Sequence, residues 1–498
     1  MASGFEVGVC VDLGAFHPHE QDYGGRRYLE NAGRTPHWVC LMEDRAPTFY
    51  HTFSTYQPDA AVPLNRHGPN PHAWTQRDLK GLVETLQAEG VAVLLGYWIH
   101  ECGWVDDRQP QLLMRQADGA VWGDRVKQNA DFNPMKRLRA DPVQGIPAGK
   151  PYMEWATEQY RRLQAAFGFD GLFLGDGGMG FRHHGHDEKG LTVFDYSPEW
   201  VQAFRESAHH VPHEGCALGR EDAPAAEWAE DVRAHHWAAW VDWNTAEWTG
   251  FYAHMAREVH ATGGKLAAYN VMNFDPALAL VHGVDYRGIA EAGLDYLVFQ
   301  TYDFAWGDLG PFGFLAMKKK DLQTNLEALL ATRAHVGHDI PMKILFTAET
   351  NDSVEHWDSP MPHTLGEAYA YAGARSFTGR KWVPVVDGAF IVWGSDMPAE
   401  EWQWLARAFA EASAPRDPAG SLLVWDEEKD LRCLLDTIHG KVTPGDLYAH
   451  HEAFTRRGPV HAALGGVLRA EHVARLSAEK GDIRKRGVKP RGRAKAER

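Results

Sequence analysis

The sequence predicts an α/β protein, a (β/α)8 TIM barrel with long βα loops and a small C-terminal extension. Three observations carry that reading. Eight short apolar runs alternate with helical stretches between about residues 5 and 413. Each run stops on or just before an acid, an amide or a tryptophan, as strands do when their C-terminal ends face one mouth. The clearest run, Gly168-Phe169-Asp170-Gly171-Leu172-Phe173-Leu174-Gly175-Asp176, is short and apolar between its glycines, the pattern of a buried parallel strand.

Taken in order, Glu6 to Asp12 is the first strand, followed by the loop Leu13-Gly14-Ala15-Phe16-His17-Pro18-His19. Trp38 to Met42 is the second, ending in Glu43-Asp44. An excursion over 45–73, rich in Pro, His and Asn, follows; long loops without periodicity are usually functional or disordered. Asp78 to Gly90 reads as a helix, with Leu79, Leu82, Val83 and Leu86 on one face and Gly90 as its stop. Val91 to Trp98 is the third strand, leading into His100-Glu101-Cys102-Gly103-Trp104 and an insertion over 105–150. A helix from Tyr152 to Phe167 delivers the chain to the fourth strand, which stops at Asp176 before Gly177 and Gly178.

A mostly helical stretch from about 197 to 262 carries six tryptophans and closes on Gly263-Gly264. Lys265 to Asn270 is the fifth strand. Leu294 to Gln300 is the sixth, finishing at Thr301-Tyr302-Asp303. A helix over 322–336 precedes the seventh, Met342 to Thr347, followed by Ala348-Glu349. A helix from about 365 leads to the eighth, Gly388 to Trp393, then Gly394-Ser395-Asp396 and a helix over 399–412. Three parts are expected: a barrel over 1–413, a small extension over 414–478, and a basic tail over 479–498 that reads as solvated and disordered. The extension shows apolar runs at 421–425 and 431–435, then one or two amphipathic helices.

Composition narrows the function classes. A formal net charge of −16 argues against nucleic acid as a partner of the main body. No run approaches the length of a membrane span. The five cysteines, at 10, 40, 102, 216 and 433, form no CxxC and no even framework, so they read as reduced thiols. Met1 to Glu6 has no basic or apolar character of a leader, and a cytoplasmic protein is expected. Nineteen tryptophans offer flat faces for sugars, although large cores also use them. Oligomeric state is left open.

The strand ends carry the functional signal. In order they present Asp12, Glu43-Asp44, His100-Glu101, Asp176, Asn270, Tyr302-Asp303, Glu349, and Trp393 with Asp396. A barrel gathers these around one mouth. Acids and amides suit sugar hydroxyls, and aromatic rings suit sugar faces. The candidates for substrate binding are Asp12, Trp98, Glu101, Trp104, Asn270, Tyr302, Trp306, Glu349 and Trp393. Hydrolysis of a glycosidic bond needs two carboxyls, one protonating the leaving oxygen and one attacking the anomeric carbon or activating water. A carbohydrate substrate is expected, with no cofactor and no metal ligands.

The stretch Gly168 to Asp176 resembles the fourth strand of barrel glycoside hydrolases of the α-galactosidase and α-glucosidase clan. That resemblance implies Asp176 as nucleophile and Asp303, on strand 6, as acid/base, with retention of configuration. Leu294 to Phe304 is similar to the sixth strand of family 18 chitinases, but Phe173 and Gly175 stand where their fourth strand carries acids. Glu349 fits the strand-7 glutamate of a third, retaining clan, in which Asp176 would replace a glutamate. Leu112 to Gly119 and Phe194 to Glu199 also look like loops of barrel glycosidases. No exact family is implied.

Two other readings stay open. His17-Pro18-His19 and Gly394-Ser395-Asp396-Met397-Pro398 resemble metal-dependent amidohydrolases, which also need histidines on strands 5 and 6, where Asn270 and Asp303 stand here. A non-catalytic carbohydrate-binding barrel would use the same acids only to hold hydroxyls.

Overall fold

The computed structural model describes residues 5–41, 49–50, 53–63, 72–98, 109–116, 119–121, 123–124, 129–130, 132–139, 149–175, 195–218, 220, 223–270, 276–281, 283–300, 322–347, 368–392, 397–431, 464–473 and 489–490. In chain order the strands are β1 (Glu6–Val11), β2 (Trp38–Leu41), β3 (Ala92–Trp98), β4 (Gly123–Asp124), β5 (Asn129–Ala130), β6 (Gly171–Gly175), β7 (Lys265–Asn270) and β8 (Tyr296–Gln300). They continue as β9 (Met342–Thr347), β10 (Arg375–Phe377), β11 (Trp382–Pro384), β12 (Gly388–Val392), β13 (Ser421–Trp425), β14 (Leu464–Arg469) and β15 (Lys489–Pro490). The helices are α1 (Gly25–Asn31), α2 (Gln76–Ala88), α3 (Tyr152–Phe167), α4 (Pro198–Glu206), α5 (Ala225–Asp231), α6 (Trp237–Ala261), α7 (Pro276–Val281), α8 (Tyr286–Glu291), α9 (Leu322–Val336) and α10 (Ala399–Ser413).

Eight strands close into a barrel in the order β1-β12-β9-β8-β7-β6-β3-β2. All eight ladders are parallel. The fold is the (β/α)8 barrel expected from the alternation of elements. Parallel strands covered by helices are buried on both sides, which is why they read as continuous apolar runs. Cys10, Leu94, Phe173, Tyr269, Leu345 and Phe390 fill the interior as one cluster. The alternate residues, such as Val9, Val93, Leu172 and Ile344, join the helices in a second and larger core.

Local chemistry sets the element ends. α2 starts in a capping box, in which Thr75 and Asp78 each bond the other's backbone N–H. α3 ends on Gly168 with φ 77°, a left-handed conformation that glycine adopts without a Cβ penalty. Asp170 then anchors the fourth stave. Its carboxylate accepts the Val93 N–H at 2.8 Å and the Gln87 amide at 2.9 Å. No described helix is long and apolar enough to cross a membrane.

A second sheet, ordered β11-β10-β14-β13-β15, lies beside the barrel. It combines β10 and β11, which precede the last stave in the chain, with strands from beyond residue 413. Lys489–Pro490, within the basic stretch, pairs with Leu423 and Val424. Within the extension, one described stretch differs from expectation. Residues 464–469, inside a region expected to be helical, form a strand. Gly465-Gly466 weakens a helix, and a Cβ on Gly465 would sit 1.7 Å from the Ala419 carbonyl oxygen, so the glycine admits the neighbouring chain.

Glu427 fastens this sheet to the barrel helices. Its carboxylate accepts from His335 Nδ1 at 2.8 Å, Arg287 Nη2 at 3.0 Å and Trp425 Nε1 at 2.7 Å. Burial alone would lower the His335 pKa, but Asp285 and Glu427 more than offset it and hold the pKa above its ordinary 6.5. Burial opposes the Glu427 charge too, yet His335 brings that pKa below its ordinary 4.5. The histidine's contribution is therefore full below pH 6.5 and fades as pH rises through the raised value. The carboxylate's contribution is full above pH 4.5 and fades as pH falls. Glu427→Gln is expected to lower stability by about 1–2 kcal/mol, a figure reduced for its partial exposure. The gap from the parent protein should be widest between pH 4.5 and 6.5 and should narrow on the alkaline side. Thermal unfolding across pH measures it; a gap that widens above pH 8 contradicts the pairing.

Candidate active site

In a parallel barrel every strand ends at the same rim, and the register fixes which ends are neighbours. Trp98, the last residue of β3, is paired with Gly175, the last of β6. Asn270, the last of β7, pairs with Phe299 of β8. Val392, the last of β12, pairs with both Thr347 and Cys10. The backbones of Trp98 and Asn270 thus stand at the rim; their side chains lie outside the described residues. Glu101, Trp104, Asp176, Tyr302, Asp303, Trp306, Glu349 and Trp393 also lie outside them. Asp176 follows Gly175 directly in sequence, and Trp393 follows Val392.

Asp12 is the described member of the set. It follows β1 and is half-buried. Its Oδ1 accepts the Gly14 N–H at 2.7 Å, capping the 3-10 turn Leu13–Ala15. One carboxylate oxygen therefore shapes the first loop. The same loop carries His17 and His19, which meet His72 from the excursion over 45–73: the His17 and His72 rings lie 4.0 Å apart. Burial, with the His17 and His19 rings, lowers the His72 pKa. The sequence reading treated His17 and His19 only as metal ligands and passed over His72, which the chain brings in from afar.

The loops after the third and fourth staves are held together by a buried ion pair that sequence reasoning missed. Asp195 is fully buried, and its Oδ2 lies 2.7 Å from the Lys136 ammonium, itself 4% exposed. The same oxygen accepts the Asn133 amide at 3.1 Å. Oδ1 accepts the backbone N–H groups of Arg115 at 3.0 Å and Ser197 at 2.9 Å. Lys136 also donates to the Leu113 carbonyl at 2.9 Å. Tyr196 completes the join, its N–H donating to the Arg115 carbonyl at 2.8 Å. The two stretches that resemble glycosidase loops, around 112–119 and 194–199, thus pack on each other. A cleft of 470 Å³ opens between them, lined by Gln111, Arg115, Arg139, Glu199 and Trp228 among others.

Most tryptophans of the helical stretch are structural. Trp200, Trp228, Trp237, Trp240, Trp243 and Trp248 are all buried. The Trp200 and Trp243 rings lie 4.5 Å apart, and Trp200 Nε1 donates to Asn244 Oδ1 at 3.0 Å.

No family model matches the chain, and no curated protein matches it. Solved structures do match in shape. The β-galactosidase of the psychrophilic Marinomonas ef1 superposes with a TM-score of 0.51 at 10% identity, over 96% of this chain and 74% of that one. The barrel is similar in fold to those of β-galactosidases. The enzyme of the Antarctic haloarchaeon Halorubrum lacusprofundi gives 0.50 at 11% identity, over 95% of this chain and 71% of that one. That of Bacillus circulans sp. alkalophilus gives 0.52 at 9% identity, over 94% and 65%. At such identities the likeness is one of fold.

Removing one partner of a buried pair strands the other charge. Asp195→Asn and Lys136→Met are each expected to cost about 3–5 kcal/mol, and the double variant much less than their sum. Denaturant unfolding of the four proteins measures the coupling; strict additivity would mean that the pair carries no coupling.

Proposed function

We propose that the protein is a glycoside hydrolase acting on an oligosaccharide or glycoside through two carboxyl groups at the C-terminal mouth of the barrel. The supporting observation is the closed parallel barrel itself. It ends β6 on Gly175, one residue before Asp176, and sets that end beside the ends of β3 and β7. Asp176 is assigned as nucleophile and Asp303 as acid/base. Asp176 attacks the anomeric carbon while Asp303 protonates the leaving oxygen; Asp303 then deprotonates the water that releases the sugar, and configuration is retained. Asp12, Trp98, Glu101, Trp104, Asn270, Tyr302, Trp306, Glu349 and Trp393 are assigned to sugar binding, with the rings as stacking faces. No cofactor enters this chemistry.

The test is turnover of aryl α- and β-glycosides by the parent protein beside Asp176→Asn and Asp303→Asn. β-Galactosides are the first choice because of the fold likeness. Asp176→Asn should abolish hydrolysis while leaving sugar binding in place. Asp303→Asn should lower kcat by about 10²- to 10⁴-fold, the usual weight of acid/base assistance, with the smallest loss on the best leaving groups. NMR of the first-formed product should show the substrate's own anomer. Inversion, or full activity in Asp303→Asn, would reassign the second carboxyl to Glu349 or Glu101.

A further inference from the structure

Away from the strand ends, four side chains of metal-ligand type converge between the loop after α4 and the start of α6. A ring nitrogen of His213, Cys216 Sγ, an Asp231 oxygen and a ring nitrogen of His236 all lie within 4.8 Å of one another. Asp231 and His236 are buried, at 8% and 4% exposure. Among the described residues this is the one such grouping.

We propose that these four residues bind one zinc ion as a closed, four-ligand structural site. Three features support it. First, the donors are the types zinc takes, two imidazoles, a thiolate and a carboxylate, and four protein ligands complete its tetrahedron. Thiolate and carboxylate together offset the two charges of the ion, so the half-buried site is neutral; the Cys216 thiol gives its proton to solvent.

Second, the far sides of two of the ligands, His213 and Asp231, are already held. His213 Nδ1 lies 2.9 Å from the Glu214 carbonyl oxygen, which can only accept, so the proton sits on Nδ1 and Nε2 is turned inward. Asp231 Oδ2 accepts the Ala217 and Leu218 N–H groups at 2.7 and 3.3 Å, leaving Oδ1 to face His213 Nε2 at 2.8 Å. A lone pair on Nε2 opposite a carboxylate oxygen needs a cation between them or a second proton on the ring. The second proton would serve these two groups alone. Cys216 Sγ lies 3.9 Å from His236 and 3.8 Å from His210 and also hydrogen-bonds the Asp231 carboxylate, so it stands among the other three ligands, and one ion would serve all four.

Third, His236 is delivered by a π-helical turn, Val232–His236, between α5 and α6. Such turns insert a residue into a helix at a stability cost and are frequent at functional sites. The ligands join the described loop residues 207–218 to the long helix α6. Binding energy of the ion would be folding energy of that segment. The His213-x-x-Cys216 spacing is no standard zinc signature, and the sequence alone assigns no metal here.

The experiment is cobalt(II) titration of the full-length protein after treatment with a chelator, followed by zinc(II) displacement. The expected result is one equivalent bound per chain, with intense tetrahedral d–d bands and a thiolate-to-cobalt charge-transfer band, both erased by zinc. Cys216→Ser should lose the charge-transfer band, and His236→Gln should weaken binding at least about tenfold. One equivalent of zinc should raise the Tm of the parent protein and leave that of Cys216→Ser unchanged. A weak octahedral spectrum without the thiolate band in the parent protein would mean scattered surface histidines and would overturn the site, whatever the variants do. A thiolate band that survives in Cys216→Ser would overturn it as well.

Discussion

The ladder between β1 and β12 is the constraint on which the rest depends, because it joins the first stave to the last. Its register runs from Glu6 opposite Gly388 to Cys10 opposite Val392. Without it the strands would form an open sheet with two raw edges. With it, all eight C-terminal ends share one rim, and residues far apart in the chain become neighbours. The closure is reinforced at the other rim. Lys343, 1% exposed, pairs with Glu6 and lies over the Tyr296 ring at 4.7 Å. Burial lowers the lysine's pKa, and the Glu6 carboxylate works against that. A charge so placed tolerates burial only with a partner, and at the N-terminal face of a barrel such a pair serves stability.

The barrel was legible because its signals are local. Strands buried on both faces need unbroken apolar runs, and Val91 to Trp98 or Met342 to Thr347 can be bounded by eye. Helix ends obey equally short rules, as Thr75 with Asp78 and Gly168 with its positive φ show. The strand ends were legible for the same reason, since each apolar run is easy to place. At the first of them, one oxygen of Asp12 caps a turn at the rim.

What sequence reading missed depends on distance along the chain. Asp195 and Arg115 are 80 residues apart, and nothing near either announces the other. A buried Asp looks like a surface Asp until its lysine is known. Tryptophan misled in the opposite sense. Trp74, Trp155, Trp402 and Trp425 are buried along with the six of the helical stretch, so ten of the nineteen are accounted for by packing. An abundance that suggested sugar platforms is in large part the demand of a big core under long helices.

The same distinction orders the polar clusters. Asp195 carries a lysine, an asparagine amide and two backbone N–H groups, so its charge is satisfied by the protein alone. Glu427 is likewise fully engaged by His335, Arg287 and Trp425. The grouping of His213, Cys216, Asp231 and His236 differs in kind. Second-layer bonds turn His213 Nε2 and Asp231 Oδ1 inward, where they meet at 2.8 Å with Cys216 and His236 close by. Four ligand-type side chains oriented toward one point have the form of a binding site, and two imidazoles, a thiol and a carboxylate are donors that suit a divalent cation.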